Sequence, residues 1–242
     1  MKQSIKLILI YLAYQLVAGL LMMFLGNLLE LSESERLSWA LLLSGVVMII
    51  HLMLRRHVNV STFSMVRVSP PRMLYSIFCV LGTMVCFDAL NTLMPLPDWL
   101  ESDFITLSQT FTGILSIAVV APIVEEMLFR GAVMDSMLQR GYTPIKVIIL
   151  SAALFGFIHL NPVQVVFAFL MGIVFGWIRL KTGSISSVIV GHILNNSIAV
   201  AEMCWYDTDV PLSHGDSFTP TTLIIIALIG AVVAILSAIK LR

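Results

Sequence analysis

The sequence predicts an all-α, polytopic integral membrane bundle of about eight transmembrane helices with both termini cytoplasmic. Three observations predict it. Of 242 residues, 59% are hydrophobic and 12% are charged, against roughly a quarter charged in an ordinary soluble domain. Apolar stretches of about 20 residues, enough to cross a hydrocarbon core about 30 Å thick, recur along the whole chain. The connections between these stretches alternate in charge.

The first span, Ile5–Leu29, follows Lys2 and Lys6 and begins like a secretion signal. Its apolar run is long and no small-residue cleavage site follows, so it reads as a retained anchor. The others fall near Leu37–Leu54, Met73–Leu93, Phe111–Leu138, Pro144–Leu160, Pro162–Leu180, Ile185–Trp205 and Thr221–Leu241. The fourth is long enough that it must tilt, kink or protrude. The fifth and sixth are joined by almost no loop, at Asn161–Pro162. Trp99, Leu100 and Phe104, set among acidic residues, predict a short interfacial helix before the fourth span, with an irregular outer loop as the alternative.

Lys2 and Lys6 precede the first span, and Glu30, Glu33 and Glu35 with one Arg36 follow it. Arg55, Arg56, Arg67 and Arg72 follow the second, and Asp98, Glu101 and Asp103 the third. Then come Arg140 with Lys146, the Asn161 turn, Arg179 with Lys181, the trio Asp207, Asp209 and Asp216, and finally Lys240 with Arg242. Every second connection is basic, which under the positive-inside rule sets both termini in the cytoplasm and demands an even number of crossings.

Formal net charge is zero, and no basic stripe with interleaved aromatics points to nucleic acid. Cys79, Cys86 and Cys204 lack any paired spacing and read as small apolar core residues. No repeat or linker divides the chain, so residues 1–242 read as one transmembrane domain in contact with lipid, its motif-bearing core at about 111–203.

Ionisable groups inside a span are costly and mark function. The fourth span holds Pro122-Ile-Val-Glu125-Glu126-Met-Leu-Phe-Arg130, the fifth ends Phe155-Gly-Phe-Ile-His159, and the seventh holds His192-Ile-Leu-Asn195-Asn196. Residues four apart share a helix face, so Glu126 and Arg130 can pair, while Glu125, about 100° away, is free to meet another group. A structural ion pair accounts for Glu126 and Arg130 but leaves Glu125 unexplained. Pro122 removes a backbone hydrogen bond one turn earlier and should open carbonyls beside a polar pocket. His192 and Asn196, one turn apart, present two polar heads that could bind an oxyanion, with Asn195 a less well placed substitute. One geometric condition is open: at about 1.5 Å per residue, His159 lies some 20 Å from the cytoplasmic start of its helix and His192 about 10 Å from its own, so convergence requires a tilt or a later exit after Pro162.

These residues resemble the CAAX prenyl protease type II and bacteriocin-processing (CPBP) intramembrane proteases, whose pattern is EExxxR, then FxxxH, then HxxxN or HxxxD. The resemblance covers about Phe111–Met203. It implies an endopeptidase cleaving a peptide or protein substrate within or beside the membrane. Eukaryotic relatives remove the last three residues of prenylated CAAX proteins; bacterial relatives act on varied substrates, including peptide precursors and bacteriocin-related peptides. The family was long described as metal-dependent, and its first glutamate is better understood as activating water without a metal.

The expected roles follow from amide hydrolysis: Glu125 as general base, His159 orienting water and donating a proton, and His192 with Asn196 stabilising the oxyanion. Glu126 and Arg130 would fix the helix face, and Phe155 would pack beneath His159. No cofactor is the first expectation; Glu125, His159 and His192 as a zinc set is the alternative, weakened by the lack of HExxH. A proton-coupled transporter and a non-catalytic immunity or scaffold protein are the other classes, though no repeated halves support transport. Ala168, Gly172 and Gly176 predict close internal helix packing. Asp88 either pairs with a nearby donor or lines the cavity. For a bacterial chain the expected location is the inner or plasma membrane, as a multi-pass integral protein.

Overall fold

The computed structural model describes residues 2–58, 60–63, 68–205 and 218–241. Among the described residues there are nine helices and no strand. They are α1 (Lys2–Leu28), α2 (Glu33–Leu54), α3 (Pro70–Leu93), α4 (Glu101–Ser108), α5 (Phe111–Leu138), α6 (Pro144–Phe157), α7 (Pro162–Thr182), α8 (Ser186–Trp205) and α9 (Pro220–Lys240). The short interfacial helix expected before the fourth span is α4. Arg67, Asp207, Asp209, Asp216 and Arg242 lie outside the described residues.

Local chemistry sets the helix starts. Ser32 and Glu35 form a reciprocal capping box at the head of α2. A proline opens α3, α6, α7 and α9, where its missing N–H costs nothing. Helix α7 stops at Gly183, whose φ of +69° supplies the left-handed cap.

All eight expected spans are helical, but seven of the described helices are long and apolar enough to cross a membrane unaided. The exception is α6, whose 14 residues reach only about 21 Å. The apolar run that extends it to Leu160 in sequence belongs to a tight reversal, with Leu160 at φ +55° and Asn161 buried.

Contacts between connections sort the molecule into two faces. At the first, Arg140 donates to Gln3 (3.3 Å), Ile185 N–H to Thr62 O (2.9 Å), and Trp177 to Ala238 O (3.4 Å). At the second, Ser38 meets Thr110 (2.9 Å), Cys204 Sγ donates to Ser108 O (3.3 Å), and Trp99 N–H donates to Asn161 Oδ1 (3.0 Å) while Asn161 Nδ2 donates to Asp98 (2.8 Å). Helix α6 therefore starts at the first face and ends at the second, beneath the segment carrying Asp98 and Trp99. The even parity read from the loop charges is kept, and both termini share one face.

The centre is filled by Met48, Leu52, Phe129, Met134, Phe155, Met171 and Phe175, all buried. Leu16, Leu20 and Phe24 on α1 and Leu228, Ile235 and Leu236 on α9 are exposed, an apolar surface suited to lipid. Ala168, Gly172 and Gly176 serve internal packing: Ala168 is buried, and a Cβ at Gly172 would lie 2.9 Å from Ala152 on α6. Two expectations are corrected. Cys204 is exposed in the last turn of α8, its thiol reaching Ser108 O at the second face, although Cys79 is buried. Asp88 is exposed near the second-face end of α3 and does not line the cavity described below.

Candidate active site

Helix α5 is unusual in its backbone. It widens into π-helical turns at Ser116–Val120 and Met127–Val133, either side of the Ala121–Glu126 stretch that holds both glutamates. Such widened turns gather at functional sites. Ala121 N–H reaches back five residues to Ser116 O. The next bond in that register would run from position 122 to Ile117 O, but Pro122 has no N–H to give. Asn196 Nδ2 donates to Ile117 O instead, at 2.9 Å. Pro122 thus frees a carbonyl, as the sequence predicts, and the HxxxN helix answers it. The second widened turn is tied by Ser151 Oγ donating to Phe129 O and Arg179 Nε to Arg130 O, both at 3.3 Å.

Glu126 and Arg130 pair at 3.0 Å, fully buried. The same Glu126 oxygen, Oε1, lies 2.8 Å from His192 Nδ1. A carboxylate oxygen that already accepts from arginine accepts here too, so Nδ1 carries the hydrogen. His192 Nε2 is left facing Glu125 Oε2 at 3.7 Å. Glu125 diverges from the ion pair, as helical geometry requires, and sits within electrostatic reach of both His192 and His159.

His159 stands in the reversal after α6, with Nδ1 2.8 Å from Phe155 O. A backbone carbonyl only accepts, so Nδ1 donates and Nε2 is the nitrogen left for the cavity. Phe155 does more than pack beneath His159. Its ring meets His159 edge-on at 5.0 Å and His192 at 5.9 Å, and the Arg130 guanidinium lies 4.3 Å from its centroid. It is the spacer that holds two imidazoles and a buried cation apart.

Glu125, His159, His192, Asn195 and Asn196 line one cavity of about 310 Å³, while Glu126 and Arg130 stand behind its wall. The depth conflict between the histidines disappears because the reversal after α6 is sunk beneath the Asp98–Trp99 segment. Asn195 Nδ2 donates to Asn196 Oδ1 at 3.1 Å, and the buried Asn195 Oδ1 has no partner among the described residues. Sequence reasoning missed the first two helices, from which Tyr11, Gln15, Leu41 and Gly45 complete the wall. The legible signal was Tyr11 and Gln15, polar groups four apart in the middle of an apolar stretch of α1.

A zinc ion would need Glu125, His159 and His192 at ligand distance together. No group of three such side chains is gathered that closely among the described residues.

Fold and site together define a polytopic helical membrane protein with a carboxylate, two imidazoles and two carboxamides around an intramembrane cavity. Residues 107–198 match the family model described as type II CAAX prenyl endopeptidase, Rce1-like. That stretch holds all three motifs and bears out the resemblance drawn from them; α1–α3 and α9 lie outside it. No curated protein and no solved structure matches the chain.

Proposed function

We propose that this protein is an intramembrane endopeptidase that hydrolyses a peptide bond with water activated by Glu125, without a metal. The observation that carries the reading is that Glu125 on α5, His159 in the reversal after α6, and His192 and Asn196 on α8 line one cavity. The family of the 107–198 segment implies a protease of the CAAX type.

The Glu125 carboxylate takes a proton from a water oriented by the His159 Nε2 lone pair. The water oxygen bonds to the carbonyl carbon, and the carbonyl π pair moves onto oxygen. His192 Nε2 and the second Asn196 N–H donate to that oxyanion, as an oxyanion site requires. With Nδ1 committed to Glu126, His192 has a donor on Nε2 when it holds two protons, and the Glu126 carboxylate lies where it counters that charge. Collapse of the intermediate breaks the C–N bond, and the proton held by Glu125 passes to the leaving amine.

Comparing the membrane peptides of cells carrying the parental chain or Glu125→Ala tests the reading. A substrate that accumulates only with Glu125→Ala, at equal protein levels, is the expected result. Identical peptide profiles, with an active-site probe failing to distinguish the two chains, would remove the protease reading. Cleavage in isolated membranes that survives exhaustive chelation supports the metal-free form, and loss restored by added zinc overturns it.

A further inference from the structure

The cavity is not centred between the two faces. No lining residue lies closer than six positions to the first-face end of its helix, the nearest being His192 on α8 and Phe175 on α7, which is about 9 Å of helix. At the other end Met203 stands two positions from the second-face end of α8, and Phe104 belongs to the interfacial helix α4. The polar groups form the floor at mid-depth, and the walls rise from it only toward the second face.

The two faces differ in charge. Every described Lys and Arg stands at the first face except Arg36 and the buried Arg130. Arg36 is engaged at the end of α1, donating to Leu31 O (2.8 Å) and Asn27 Oδ1 (2.6 Å). Described acidic residues outside the site, save Asp88 and the Arg179-paired Asp135, stand at the second. A bias this complete sets the first face in the cytoplasm.

We infer that the cavity opens to the non-cytoplasmic side of the membrane, and that its substrate is a membrane-anchored polypeptide whose cleaved bond is presented from that side. The identity of the substrate as polypeptide rests on the protease reading above; the side from which it is reached does not. A chain end lying in the cytoplasm would meet the closed floor beneath Glu125 and His192. The apolar wall of Leu41, Phe104, Phe167 and Met203 suits a segment coming from lipid.

Thiol labelling in intact cells of a bacterial host, with the full chain in the plasma membrane, tests this. Cys204 and, separately, Glu101→Cys report the second face; Arg140→Cys, in a chain with Cys204→Ala, reports the first. A membrane-impermeant maleimide should label Cys204 or Glu101→Cys in intact cells and Arg140→Cys only after permeabilisation. Labelling of Arg140→Cys in intact cells, or protection of both second-face reporters, overturns the inference. If a variant does not accumulate, site mapping of the label on the parental chain still reads Cys204. Labelling needs no turnover, so a wrong orientation and an absent protease activity are separate outcomes. Where cleavage is measurable, impermeant reagent added outside should block it in Met203→Cys with Cys204→Ala, at the cavity mouth, and leave Cys204→Ala alone less affected.

Discussion

Glu126 Oε1 holds two donors at once, Arg130 at 3.0 Å and His192 at 2.8 Å, so this one oxygen joins the scaffold to the chemistry. Removing its charge leaves Arg130 buried without a counterion, a change that typically costs about 3–5 kcal/mol. Glu126→Gln should therefore lower thermal stability in detergent and weaken the hold on His192, whose Nδ1 would donate to an uncharged amide oxygen in place of a carboxylate. Replacing both partners, as Glu126→Leu with Arg130→Met, should recover most of that stability and none of the cleavage, because leucine offers His192 Nδ1 no acceptor. Recovery of cleavage by the double variant would show Glu126 to be scaffold alone. Asn196 is loaded differently, since one N–H is spent on Ile117 O and the other is available to an oxyanion. Asn196→Ala should cut the cleavage rate by ~10²–10³, leaving the chain folded; cleavage at the parental rate, at normal expression, would remove Asn196 from the site.

Helix α3 and helix α9 approach so closely that their glycines touch across the contact. A Cβ at Gly82 would lie 2.6 Å from Gly230 O and 2.7 Å from Ala234 N, and one at Gly230 would lie 2.7 Å from Gly82 O. Backbone cannot yield as a side-chain tip can, so Gly82→Ala should destabilise by about 1–3 kcal/mol, read as a lower midpoint of thermal unfolding. No residue of either helix lines the cavity, so the rate per folded molecule should be unchanged; an unaltered midpoint would mean the helices separate at no cost. This contact also marks where the sequence is legible and where it is not. Glu125, His159 and His192 could be read because a polar group in an apolar span has few bland explanations, and the Pro122 carbonyl because a missing N–H has a fixed consequence. The shortness of α6 could not be read, because Ile158 and Leu160 are as apolar in a reversal as in a helix. Nor could the widened turns of α5, which depend on Asn196, Ser151 and Arg179 from other helices.

The segment that matches the protease family ends before α9 and begins after α3, yet the cavity is not complete within it. Tyr11 and Gln15 on α1 and Leu41 and Gly45 on α2 supply part of its wall. Cutting the chain between residues 63 and 68, in a first-face connection, divides it without changing the parity of either part. Residues 1–63 form a two-helix unit, and residues 68–242 begin at the first face and keep Arg72 there. Helices that insert separately can associate afterwards through packing, here through Gly45, whose Cβ position is 2.6 Å from Val120 on α5. The fragment 68–242 alone should accumulate in membranes and cleave at background, since a cavity lacking one wall fills with lipid and cannot hold a water against Glu125. Supplying 1–63 on a second chain should restore cleavage, measured against the same membrane substrate. Parental rates from 68–242 alone would mean that α1 and α2 are dispensable and that the site is closed by the family segment itself.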